Sequence, residues 1–231
     1  MKNRYTNKLN TLNKRNFIKK PYTLELICIE NKKQVKLMKA HLNNITISNF
    51  NLKDKYTYFE DSKLDESNTL LYEINDKPIN FKKYSRGTII KVKFGVNIGS
   101  EFSGDHYAIV ISKNDTMMNP VLHVIPITSK KHKYNLKIGK VLYNKEYLEN
   151  LKAKLKTETN RKNIKEIKRC MKYYNERSNK NSYACIKHLK TISKLSICRP
   201  INKYDYINKI KLPNETLKKI DKEIINEYTL L

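Results

Sequence analysis

Glycine is scarce in this chain, with 5 among 231 residues, and tryptophan is absent. Long apolar runs are missing too: nothing approaches the roughly 18 apolar residues that a membrane span requires. The segment Thr23-Leu-Glu-Leu-Ile-Cys-Ile29 is short and carries a charge, so no secretory signal is expected behind the basic N-terminus. The four cysteines, Cys28, Cys170, Cys185 and Cys198, have no disulfide-framework spacing and read as reduced thiols of a cytoplasmic protein. P-loop, dinucleotide and serine-nucleophile motifs are all lacking. Acidic residues are few, 22 against 48 Lys and Arg, leaving a net charge of +26. That excess points to a polyanionic partner. An AT-rich coding bias toward Lys, Asn, Ile and Tyr would produce the same excess, so charge alone does not establish nucleic-acid binding.

What is present supports a modest core, with 39% apolar residues and 16 tyrosines. The length fits one decorated domain or two small ones. Residues 1–20 read as a loosely held basic arm. Apolar positions from Leu24 to Leu42 recur at helical spacing and predict one or two short helices, while residues 43–70 show no pattern. The turn at Asp76-Lys-Pro78 closes an N-terminal extension of residues 1–80 ahead of a second region, 81–231.

That second region opens as β structure. Thr88-Ile-Ile-Lys-Val-Lys-Phe94 alternates apolar and basic positions; Tyr107-Ala-Ile-Val-Ile-Ser112 is a continuous apolar run; Val121-Leu-His-Val-Ile-Pro-Ile-Thr128 is a third strand, with Pro126 confining its far end to an edge or bulge. Residues 145–180 then carry leucines and isoleucines at i, i+3, i+7 spacing and predict two helices bearing twelve Lys or Arg against five Glu. Residues 182–192 return to strand character. Pro213-Asn214 places an N-cap before Leu217, Ile220 and Ile224, the stripe of a final helix.

Three of the five glycines, Gly95, Gly99 and Gly104, fall in one loop between the first two strands. Glycine reaches backbone angles that other residues adopt only at a cost, so this loop is expected to turn sharply and repeatedly. The second and third strands share a short connection and form an antiparallel hairpin by default. Pairing outward from Met117 sets Ala108 near Pro126 and His106 near Thr128. His106 and the hydroxyls of Thr128 and Ser129 then lie at one end of the sheet, with Lys130, Lys131 and His132 next to them. A proton-transfer group, hydroxyls and cations on one rim suit phosphate chemistry; an ordinary surface histidine is the competing reading.

These same residues carry a family resemblance. Arg86-Gly87-Thr-Ile-Ile, Gly99-Ser-Glu101, Gly104, Ala108-Ile-Val-Ile-Ser112, Pro126-Ile-Thr-Ser129 and Ala184-Cys-Ile-Lys-His-Leu-Lys-Thr-Ile-Ser193 resemble the MazF/PemK family of toxin endoribonucleases. The resemblance implies an α+β fold: a small SH3-like β-barrel with a C-terminal helix, here extended by a helical N-terminal region and an inserted helical hairpin at 145–180. It implies a homodimer inhibited by a cognate antitoxin, and cofactor- and metal-independent cleavage of single-stranded RNA by 2′-OH attack, leaving 2′,3′-cyclic phosphate and 5′-OH ends. By that resemblance His106, Thr128 and Ser129 are the catalytic candidates, and Arg86, Ser100, Glu101, Lys130 and Lys131 the substrate-binding ones. Glu101 matches a loop glutamate that orients the loop in one reading. The chain departs from the family at His106, which stands where the family has its catalytic arginine. Histidine exchanges protons near neutral pH, so activity survives by a changed division of labour, or the protein is a non-catalytic binder of nucleic acid or protein on the same fold.

Three further readings follow. The insertion should protrude as a basic hairpin, serving as a solvated face, an RNA-backbone clamp, or an antitoxin or dimer contact. Cys185 and His188 invite zinc, but on a strand positions three apart face opposite ways and cannot share a metal. His123 is expected in the core or an interface, and Tyr174 in helix packing.

Overall fold

The computed structural model describes residues 58–73 and 80–229, all within one compact unit. The helices expected between Leu24 and Leu42 lie outside the described residues. In chain order the elements are α1 (Phe59–Glu73), β1 (Ile89–Lys93), β2 (Asp105–Val110), β3 (Val121–Thr128), β4 (Leu136–Gly139), α2 (Lys145–Thr157), α3 (Arg161–Asn175), β5 (Ser182–Ala184), β6 (Lys190–Ser193) and α4 (Asn214–Tyr228). The fold is α+β, an antiparallel sheet with helices. Short 3₁₀ turns occupy Ile186–His188, Lys194–Ser196 and Ile207–Lys209.

The sheet runs β1-β2-β3-β5-β4, with β6 also pairing β3. Its central hairpin has the register set by the short connection: Ala108 pairs Pro126, and the ladder reaches Tyr107 opposite Ile127. Alternation along the strands divides the core into two faces. Ile90, Val92, Ala108, Val110, Leu122 and Val124 pack on one, with Phe94, Ile192 and Phe102. Ile89, Ile109, Ile125, Ile127 and Ala184 pack on the other, under Ile220 of α4. Burial on both faces explains why β2 reads as a continuous apolar run. Each fully buried aliphatic side chain contributes about 1.5–3 kcal/mol.

Two expectations are corrected here. The barrel is not closed by a strand ladder; beyond the ladders, single bridges join Val92 to Ile197 and Thr88 to Lys211. And Pro126 sits in the middle of the sheet, not at an edge: β3 has β2 on one side and β5 and β6 on the other. The sheet tolerates it because β5 pairs only with Ile127 and Thr128, and β6 only with 121–124. Pro126 accepts from the Cys185 amide at 2.9 Å, so its missing N–H faces the gap between those two partners, where no ladder bond is lost. The segment 182–192, expected as one strand, is accordingly two short strands separated by the Ile186–His188 turn.

The insertion forms two helices as its periodicity predicts, but it does not stand free. Leu151, Ile167 and Cys170 pack together between α2 and α3, while Leu148 and Tyr174 pack on Tyr206. The rings of Tyr147 and Tyr206 lie 3.9 Å apart, those of Tyr174 and Tyr206 4.5 Å. Asn202 donates to the Glu166 carbonyl at 3.0 Å. The hairpin is thereby clamped to the 201–210 segment.

At the hairpin end of the sheet, Lys194 and Asp115 form a buried ion pair at 2.7 Å, their side chains 2% and 0% exposed. The Lys194 ammonium also donates to the Thr116 carbonyl at 2.8 Å, and Asp115 accepts from the Tyr84 amide at 2.8 Å. One pair thus joins the entry to β1, the β2–β3 connection and the exit from β6. At the other end of the chain, α4 begins at Asn214 itself, with Pro213 in the cap position and no side-chain cap bond. Among the described residues no helix is long and apolar enough to cross a membrane.

Candidate active site at the glycine-loop rim

The loop between β1 and β2 is a closed structure built on its own polar side chains. Gly104 donates to the Gly95 carbonyl at 2.6 Å, and Phe94 to the Gly104 carbonyl at 3.0 Å, sealing its mouth. Inside, the Asn97 amide group donates to the carbonyls of Phe94 (2.9 Å) and Phe102 (2.7 Å). Ser103 accepts from the Asn97 amide at 3.0 Å and donates to the Glu101 carbonyl at 3.1 Å. Gly95 and Gly104 both have positive φ, 73° and 85°, the left-handed region where a side chain is strained. The closure holds Phe102 inward, edge-on to Phe94 with centroids 5.6 Å apart.

Phe102 in turn organises two imidazoles. His106 packs against it at 4.5 Å between ring centroids, and His188 at 5.5 Å from the same ring. By strand alternation His106 shares the face of Ala108 and Val110, and Thr128 that of Leu122 and Val124. The two stand one step beyond the last paired residues, Tyr107 and Ile127. His188 reaches this rim because the chain leaves the ladder opposite Pro126. It is therefore on a 3₁₀ turn, not a strand, and the alternation argument made for it against zinc does not apply. Cys185 itself is buried, 2% exposed, with its thiol directed at the Tyr183 carbonyl at 4.0 Å, and among the described residues no group of three or more His, Cys, Asp or Glu is placed to hold a metal.

Burial pulls the His106 pKa below its ordinary 6.5, and Lys130 and Lys91 lower it further, against the Ser103 backbone and Asp105, which raise it. At neutral pH the ring is uncharged and able to accept a proton. Thr128 Oγ1 accepts from the Lys130 amide at 3.1 Å, which leaves its O–H free to donate outward. Ser129, Lys130 and Lys131 follow, all exposed.

The remaining candidates separate. Ser100 and Glu101 lie exposed on the loop's outer lip, and Glu101 serves the loop through its backbone. Arg86 is not brought to this rim. Its guanidinium donates to the Ile111 carbonyl and to Asp221 of α4. Ile111 is five residues along the chain from His106, about 16 Å in an extended strand. His123, expected in the core or an interface, is not in the core of the chain: it is exposed and bonded to Thr191 Oγ1 at 2.9 Å. Phe102, His188 and Asn97 were missed by sequence reasoning. Phe102 had a signal, the one aromatic between Gly95 and Gly104, whereas His188 had none apart from its neighbours.

Behind the rim, on the opposite face of β2, the Tyr107 hydroxyl bonds that of Tyr173 in α3, and the Arg177 guanidinium lies 3.7 Å over the Tyr173 ring. Tyr174, fully buried as expected, bonds Asp205. A cavity of about 60 Å³ opens there, lined by Lys91, Tyr107, Tyr173 and Arg199 among others; it is separate from the His106 face.

The fold and rim thus define a small α+β domain presenting imidazoles, a free hydroxyl and lysines at one end of an antiparallel sheet. Residues 85–169 match the family model described as PemK-like, MazF-like toxin of type II toxin-antitoxin system, so this segment is similar to that family. A solved structure, MazF (Form-I) from Deinococcus radiodurans, is similar at 11% identity and a TM-score of 0.36 over 63% of this chain and 96% of that one. No curated protein matches the chain.

Proposed function

We propose that the protein is the toxin of a toxin–antitoxin pair and an endoribonuclease that cleaves single-stranded RNA without a metal. The observation that carries this is the pair of imidazoles, His106 and His188, both packed on the ring of Phe102, at the end of the sheet where Thr128 follows the last residue of its strand paired with β2. Neutral His106 takes the proton of a ribose 2′-OH, whose oxygen attacks the adjacent phosphorus. The bond from phosphorus to the 5′-oxygen breaks, and His188 gives that oxygen its proton. The products are a 2′,3′-cyclic phosphate and a 5′-OH. Thr128 donates to a non-bridging oxygen, where Ser129, Lys130 and Lys131 add hydroxyl and positive charge as negative charge builds. Ser100 and Glu101 flank the base on the loop lip. The need for a 2′-OH selects RNA over DNA. In this reading 81–231 is the toxin domain, a partly open version of an SH3-like barrel. It acts as a homodimer held in check by an antitoxin, with residues 1–80 an extension.

Incubation with a pool of single-stranded RNA in EDTA tests the proposal. Discrete cyclic-phosphate ends should form, and fall at least about 100-fold in His106→Ala and in His188→Ala, in line with loss of an acid–base group. The second reading, a non-catalytic binder, is favoured by histidine standing in the arginine position. It predicts RNA retention without new ends at any pH between about 5 and 8, the range over which an imidazole titrates.

A further inference from the structure

The exposed side of α3 is a surface that the proposed reaction at the rim does not use. Six cations, Arg161, Lys162, Lys165, Lys168, Arg169 and Lys172, lie exposed along it, and among the described residues none of them forms an ion pair. Helical geometry puts Arg161, Lys165, Lys168 and Lys172 in one stripe at i, i+4, i+7, i+11, with Lys162 and Arg169 beside it. The opposite side holds the buried Ile167, Cys170 and Tyr174, so the stripe is held rigid and points away from the core. Its first turn has no acidic residue, although the helix dipole disfavours cations there. Like charges at i, i+3 and i, i+4 also repel. Both effects weigh against a helix that its buried face nonetheless holds in place, and a polyanion lying along the stripe would relieve them.

We propose that this face binds the phosphate backbone of single-stranded RNA outside the cleaved bond, an inference that rests on the RNA-cleaving reading of the rim. Two observations point to RNA over a protein partner. The face has no aromatic or aliphatic anchor among its six cations, and such anchors dominate the centres of protein interfaces. It is also anchored to the strand that carries the rim: Tyr173, one residue past Lys172, bonds Tyr107, the chain neighbour of His106 on the other face of β2. From there α3 runs back for about 16 Å, a track leading away from the candidate site.

The test uses an uncleavable 2′-O-methyl RNA of about 20 nucleotides, with binding followed by anisotropy as salt is raised, because each phosphate contact contributes about −0.7 to the log–log slope on a single strand. Lys165→Gln/Lys168→Gln/Lys172→Gln should flatten that slope by about 2 and weaken binding of the long RNA at least about tenfold at low salt. Binding of a four-nucleotide RNA should be unchanged. These side chains are exposed, and a circular dichroism spectrum matching the parent shows the variant folded. An unchanged slope, equal loss on long and short RNA, or no binding of the parent protein to either RNA overturns the inference. Because the probe cannot be cut, absence of cleavage activity would refute the mechanism at the rim while leaving this measurement decisive.

Discussion

Lys194→Met should be among the most damaging single changes away from the candidate active site. The ammonium it removes is 2.7 Å from Asp115, and both side chains are shielded from water. Asp115 would keep the Tyr84 amide at 2.8 Å, but its charge would stay buried without a counter-ion. Breaking a buried pair from one side costs about 3–5 kcal/mol, a large share of the 5–15 kcal/mol typical of a whole domain. With a urea slope near 2 kcal/mol/M, the unfolding midpoint should fall by roughly 2 M. Burial pushes the Asp115 carboxyl up, but Lys194 and the Tyr84 and Thr116 amides together hold it below its ordinary 3.8. A depressed carboxylate contributes stability above that ordinary value and loses it as pH falls through the lower, folded one. Measurement at pH 7 therefore captures the full effect, and the parent's advantage over Lys194→Met should shrink in acid. Adding Asp115→Asn removes the orphaned charge, so the double variant should be more stable than Lys194→Met alone. A loss below about 1 kcal/mol in Lys194→Met, or strict additivity in the double variant, would refute the reasoning. The pair lies at the hairpin end of the sheet, so RNA cleavage under native conditions should be retained.

Two further outcomes are expected. Since His106 titrates below 6.5 and must be neutral to act, the acid limb of kcat/KM should lie below that pH. Lys130→Gln, which removes a charge that repels the proton, should move the limb upward; a limb that stays or moves down would sink the assignment. Gly104→Ala should cost about 1–2 kcal/mol in urea unfolding, the penalty for a β-carbon in the left-handed region. The added atom would sit 3.8 Å from His106 Nε2, an ordinary contact, so a cost under about 0.5 kcal/mol would show that the backbone there relaxes.

The hairpin register was legible because two apolar runs and a short connection leave little choice of pairing. The insertion helices were legible from their stripes. α1 was not, because Leu64, Leu70 and Tyr72 are exposed in it and no apolar stripe marks a face. Pro126 misled for a definite reason. Its missing N–H is visible in sequence, but whether a partner strand has left a gap opposite it is not. His188 was hidden by the same gap, since an alternating pattern carries no sign that the strand is interrupted. Arg86 lay beyond local reasoning, its acidic partner Asp221 being 135 residues away along the chain.

The interruption between β5 and β6 also bears on timing. β3 meets β2 across a connection of ten residues, but Thr128 waits for Tyr183, which is made 55 residues later (183 minus 128). At about 5–20 residues per second, a ribosome takes several seconds to cover that interval. For that time His106 and Thr128 stand at a rim lacking its second imidazole, and on the proposed mechanism the half-made toxin leaves its own message uncut.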